Sequence, residues 1–113
     1  METPEVLDIV GGFAFSWVEA KVSIRVSRLR QHSSDGHVSG EIAIFSLPGN
    51  HSLYPLTSLN FQADQTRARL AKTLSEEDSE RDWSTIIKQV CKEATERFRA
   101  GEPVQELWTS DEV

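Results

Sequence analysis

Apolar and polar positions alternate in the first half of the chain and switch to a helical period in the second. Val18, Ala20, Val22, Ile24 and Val26 point one way, and Glu19, Lys21, Ser23, Arg25 and Ser27 the other. A period of two with one polar side predicts a half-buried β-strand. Upstream, FAFSW sets Phe13, Phe15 and Trp17 at alternate positions, after a leader of residues 1–12 closed by Gly11-Gly12. QHSSDGH reads as a turn, because Ser, Asp and Gly all favour turns. VSGEIAIFSL is the next strand, with Ile42 and Ile44 in phase with Val38.

Register tests the turn, since directly opposed residues of an antiparallel pair share a face. A two-residue Asp35-Gly36 turn would set the Ile42/Ile44 series against the polar face of the first strand. A three-residue loop, Ser34-Asp35-Gly36, pairs Val26 with Ile44 and Arg28 with Ile42 and keeps the apolar series together. It also places Gly36 at the left-handed position of a bulge. A longer loop of the same parity does the same. Phe45 and Leu47 then fall on the face opposite Ile44. That face is either covered, for instance by the aromatic leader, or meets a partner. PGNHSLYP reads as a second loop, and LTSLNF as a short third strand or an extended approach to a helix.

QADQTRARLAKTL, residues 62–74, lacks glycine and proline and is rich in helix formers. Ala63, Arg67, Leu70, Ala71 and Leu74 form its expected inner face, with Asn60 as N-cap. SEEDSERD follows as an acidic linker, and Ser79 or Asp82 can cap the next helix. That helix carries the clearest stripe in the chain: Trp83, Ile86, Ile87, Val90, Cys91, Ala94 and Phe98, spaced by three and four. Lys88, Lys92, Glu93, Glu96, Arg97 and Arg99 keep most of its other side wet. Gly101 and Pro103 supply a stop.

These elements predict an α+β fold, in which an antiparallel hairpin or three-stranded meander is followed by two helices packed on one face of the sheet. The 113 residues fit a single domain. Residues 1–12 form the leader, 13–61 the β-rich part, 62–100 the two helices and 101–113 the tail.

Composition adds limits. The chain is 38% hydrophobic and 27% charged, which suits a globular domain and argues against wholesale disorder. No stretch approaches the ~20 apolar residues that cross a bilayer, and the acidic start METPEVLDIV lacks the basic region of a secretory signal. No membrane partner and a cytoplasmic location are therefore expected. The single cysteine, Cys91, permits no intrachain disulfide. It sits on the apolar stripe and reads as a small core residue. The net charge of −6 gives no overall drive toward nucleic acid, so any contact with DNA needs a local patch.

The candidate chemistry is sparse. His32 and His37 flank the hairpin tip with only Asp35 as an obvious third ligand, so no metal site is expected. The run of carboxylates from Glu76 to Asp82 lacks the spacing of a calcium loop. No phosphate loop and no nucleophile elbow occur. The chain is accordingly expected to be no enzyme and to need no cofactor. Arg25, Arg28 and Arg30 on the hairpin and Arg67, Arg69 and Lys72 on the first helix are candidate contacts to nucleic acid or another anion, if they converge. The competing reading is solvent-facing charge balanced by eighteen acids. Phe45, Leu47 and Trp108 are candidate partner contacts. Trp108, in the tail, either folds back onto the body or anchors something else.

NFQADQTRARLAKTL and DWSTIIKQVCKEATERFRAGEPV resemble a pattern found in RecA-like/AAA-type ATPases of phage and mobile elements. There a strand-rich region precedes an Asn-aromatic-or-leucine helix start and an R-x-x-L-A-x-x-L helix. A D-W-x-x-[IL]-[IL] helix ending in R-x-G-E-P follows, and then the nucleotide-binding core. The matching residues are Asn60, Phe61, Arg67, Leu70, Ala71, Leu74, Asp82, Trp83, Ile86, Ile87, Arg99, Gly101, Glu102 and Pro103. No Walker motif occurs in the 113 residues, so the resemblance carries over no ATPase activity. It implies an accessory domain, of the kind that precedes a motor, that handles DNA or docks on an adjoining ATPase domain. A stand-alone phage regulator or inhibitor that binds a protein partner is the alternative.

Overall fold

The computed structural model describes residues 3–33 and 36–100. Five strands form one antiparallel sheet in the order of the chain: β1 (Glu5–Ile9), β2 (Gly12–Trp17), β3 (Val22–Gln31), β4 (Val38–Ser46) and β5 (Ser52–Asn60). Two helices, α1 (Asp64–Glu77) and α2 (Trp83–Arg99), follow and pack on the sheet's apolar face. The fold is α+β, as the alternation followed by the helical period implies. The sheet is a five-stranded meander rather than the expected two or three strands.

The extra strands come from both ends of the β-rich region. β1 lies inside the segment read as leader and pairs Val6 with Phe15 and Ile9 with Gly12. It was hidden because an edge strand needs little apolar sequence: only Val6 packs against the core, while Leu7 stays 69% exposed. Gly11, at φ +79°, turns the chain into β2. Residues 18–26, expected as one strand, are broken by a turn. Val18 is exposed, Lys21 adopts φ +57°, and the Lys21 N–H donates to the Val18 carbonyl. Four turn residues, Val18 to Lys21, reverse the parity, so Phe13, Phe15 and Trp17 face inward opposite Val26, Ile24 and Val22. An even-numbered apolar series continued through the turn by coincidence.

β3 and β4 keep their apolar series on one face, but by another route than the three-residue loop. Val26 pairs with Ile42 and Ile24 with Ile44, rather than Val26 with Ile44. Ser34 and Asp35 of the expected loop lie outside the described residues. Gly36 is left-handed as expected, at φ +76°. The bulge, however, lies at Arg28 (φ +55°), where Arg28 and Leu29 together oppose Gly40. An extra residue flips the side chains beyond it. Leu29 therefore enters the core, while Arg28 and Arg30 stay exposed.

LTSLN, without Phe61, belongs to a nine-residue strand, β5, that begins at Ser52 within the segment expected as loop. Its Pro55 is tolerated because β5 is a sheet edge. The Asn60 side chain does not cap α1. It accepts the Gln62 N–H at 2.9 Å one step upstream, and Ala63 takes the cap position without a side-chain bond. α1 buries Leu70, Ala71 and Leu74, and runs into the acidic segment as far as Glu77. The rest of SEEDSERD is tied down rather than free. Arg81 donates to the Ala20 carbonyl at 2.6 Å and the Lys21 carbonyl at 3.1 Å and pairs with Asp78. Trp83 Nε1 donates to the Asp78 carbonyl at 2.8 Å.

α2 starts where Asp82 accepts the Thr85 N–H at 3.2 Å and its hydroxyl at 2.6 Å. Those bonds, the hydroxyl first, hold the Asp82 carboxyl below its usual pKa. All seven residues of its predicted stripe are buried. Gly101 and Pro103, the expected stop, lie outside the described residues, as does the whole tail.

Candidate anion-binding surfaces

The apolar stripe fixes the orientation of α2, and therefore fixes which side chains it turns outward. Lys88, Lys92 and Arg99 stand at positions i, i+4 and i+11, which at 3.6 residues per turn lie on one side of a helix. They run beside the start of α1, where Arg67 joins them. The Arg67 guanidinium is set by the Phe61 carbonyl at 2.6 Å and by Asp64. The four cations line one groove of about 290 Å³, with Phe61, Gln62, Cys91 and Thr95 around it and Glu96 as the one carboxylate lining it among the described residues. Lys88 and Lys92 are exposed and make no ion pair among the described residues. Unpaired cations around a concave surface focus positive potential there.

Cys91 lies at the groove but is fully buried. Burial pushes its thiol up to about 12, and the Arg67 charge pulls the other way without overcoming it. A thiol held neutral is a packing residue, not a nucleophile.

A second basic surface occupies the outer face of the sheet, away from the helices. Arg28 and Arg30 border a depression of about 450 Å³ with Ser39, Gly40, Glu41, Leu56 and Ser58. Arg28 is engaged there by Glu41 at 3.3 Å. Arg25 stands over the Phe45 ring, 4.9 Å from its centroid. An exposed ion pair of this kind contributes little stability, and it lowers the charge on offer.

The six predicted cations thus do not form one patch. Arg25, Arg28 and Arg30 share the outer face, Arg67 lines the α1–α2 groove, Arg69 lines a slot between α1 and β5, and Lys72 is exposed on α1. The sequence pattern marks Lys88, Lys92 and Arg99 only as solvent-facing. Their helical spacing was visible in the sequence, but which flank of α2 faced Arg67 was not. Of the predicted partner contacts, Phe45 lies under Arg25, not under the aromatic leader. Leu47 is half-buried, its N–H donating to the Lys21 carbonyl at 2.9 Å. Trp108 lies outside the described residues.

The His32 and His37 rings stack 4.1 Å apart, and His32 Nε2 shares a 2.8 Å hydrogen bond with Ser39. Among the described residues no three His, Cys, Asp or Glu side chains come together as a ligand set, and no helix is long and apolar enough to cross a membrane. No protein-family model, curated protein or solved structure matches the chain.

Proposed function

We propose that this chain is a non-catalytic accessory domain that contacts the phosphate backbone of DNA through the α1–α2 groove. The observation that carries the reading is the convergence of Arg67, Lys88, Lys92 and Arg99 on one concave surface of a chain whose net charge is −6. Arg and Lys hold phosphates without regard to base sequence, which suits a domain that serves an adjoining motor. The resemblance to the segment that precedes the nucleotide-binding core of phage and mobile-element ATPases supports the same role. A cytoplasmic site of action, where such a motor meets DNA, belongs to this reading.

Each phosphate neutralised releases counterions, so affinity falls with salt in proportion to the contacts made. Arg67 is already held by Asp64, so three free contacts, from Lys88, Lys92 and Arg99, give a slope of about −2.7 in log K against log salt on a duplex. Fluorescence anisotropy with a labelled duplex should return a slope near that value. Lys92→Ala and Lys88→Ala should each reduce it by about one, and Arg30→Ala on the outer face should leave it unchanged. No binding at low salt, or a slope indifferent to Lys88 and Lys92, refutes the proposal and favours a regulator that acts by binding protein.

A further inference from the structure

We infer that the slot between β5 and α1 takes an extended acidic peptide, which adds to the sheet as a sixth strand. β5 is the last strand of the meander, and among the described residues one of its edges pairs with no strand. The Phe61 N–H donates to the Val38 carbonyl at 3.0 Å. Because bonded pairs recur at every second residue of an antiparallel ladder, Thr57 and Leu59 direct their backbone groups at β4. Ser58 therefore presents its N–H and carbonyl to the open edge, and Asn60 its N–H.

Natural sheets guard such edges with charge, proline, bulges or short length. β1 follows that rule: it has five residues and carries Glu5 and Asp8. The first half of β5 follows it too, through Pro55 and the register shifts near Tyr54. From Leu56 to Asn60 the edge has neither charge nor proline. An unguarded stretch of edge is what strand addition requires.

α1 stands off from this stretch and leaves a slot of about 220 Å³. Thr66, Arg69, Leu70 and Thr73 of α1, at positions i, i+3, i+4 and i+7, form one wall, and Leu59 helps form the other. The volume is below the ~300–1,000 Å³ typical of a small-molecule pocket, but it accommodates the alternate side chains of an added strand. Among the described residues Arg69 is the one charged side chain lining the slot, and it makes no ion pair there. A guanidinium beside a bare strand edge selects a carboxylate on the incoming chain.

The test uses the full chain as bait for a phage-displayed library of random peptides, with selected sequences then synthesised. The expected result is an enriched set that shares an Asp or Glu at one position. These peptides should perturb the amide resonances of Ser58, Asn60 and residues 66–73. N-methylation of alternate peptide amides should abolish binding, because it removes the strand's donors. Arg69→Ala, at an exposed position that leaves the core untouched, should weaken it roughly tenfold or more. A library that returns no binder overturns the inference, as do binders that map elsewhere or ignore Arg69→Ala. Self-association of Arg69→Ala without peptide binding also overturns it, since Arg69 would then only guard the edge. DNA affinity plays no part in these readouts, so this inference and the groove proposal fail independently.

Discussion

The adjacent glycines Gly11 and Gly12 look interchangeable in the sequence, yet the structure assigns them different physical burdens. Gly11 turns the chain at φ +79°, and a Cβ added there meets nothing within 4 Å. Alanine at that position costs only the left-handed backbone penalty, about 1–2 kcal/mol. Gly12 is an extended residue paired with Ser27. A Cβ there would overlap the Val26 carbonyl oxygen and lie 2.8 Å from its carbon and 2.9 Å from Ser27 Cα. All three are backbone atoms of β3, so no side chain can rotate away. Relief requires β2 and β3 to part next to the Arg28 bulge, with the loss of ladder hydrogen bonds worth about 1 kcal/mol each. Overpacking usually costs about 1–3 kcal/mol. A clash against the β3 backbone that no side chain can relieve puts Gly12→Ala at about 3 kcal/mol or more, a difference of at least about 1 kcal/mol from Gly11→Ala. Urea unfolding, followed by the fluorescence of the buried Trp17 and Trp83, measures both variants. If Gly12→Ala lies within about 1 kcal/mol of the unmodified chain, or is no worse than Gly11→Ala, the close approach of β2 and β3 at this point is wrong.

Other predictions rest on α2. Trp83 is 1% exposed and bonded to the Asp78 carbonyl, so Trp83→Ala should cost about 3–5 kcal/mol in the same unfolding assay. A loss below about 1 kcal/mol would place its ring at a surface instead. Cys91 should react with a thiol reagent at neutral pH only as fast as the chain opens, because burial holds it protonated. Its folded pKa is raised from 9.0 to about 12, so above pH 9 the unfolded chain releases a proton that the folded chain keeps. Stability should therefore decline between pH 9 and 12, and Cys91→Ala should decline less steeply over that window. Equal slopes would show that Cys91 does not contribute to the alkaline loss.

The two halves of the chain were not equally legible. α2 is legible almost to the residue, because its apolar stripe follows a single 3.6-residue period and local spacing sets the face. The β-rich half was read in character but not in count. β1 has only Val6 packed against the core, so its sequence carries almost no period. The Val18–Lys21 turn was invisible because its residues continued the alternation by accident. Parity of the β3–β4 pair was legible, since burial of Val26 with Ile42 and Ile44 demanded it. The same parity can be met by a loop of one length or by another length plus a bulge, and side-chain pattern does not distinguish them.

The candidate sites show the same division more sharply. The charges were all visible, but six of them were grouped by segment, whereas charges act by proximity. Arg28 was expected opposite Ile42 on the apolar face, and it is the bulge at Arg28 that turns Arg28 and Arg30 outward beside Arg25. Arg67 and Lys92 are 25 positions apart in sequence, and only the packing of α1 on α2 puts them around one groove.

The sequence by itself determined the fold class, the helical stripe, the inward series from Val22 to Val26 and from Ile42 to Ile44, and the lack of any local catalytic motif. These follow from periodicity, which is a property of neighbours along the chain. Only the tertiary structure decided how many strands the sheet has, where its bulge falls, which edge is left open and which cations face one another. Those depend on how separate segments pack, and packing is governed by contacts between residues that sequence order keeps far apart.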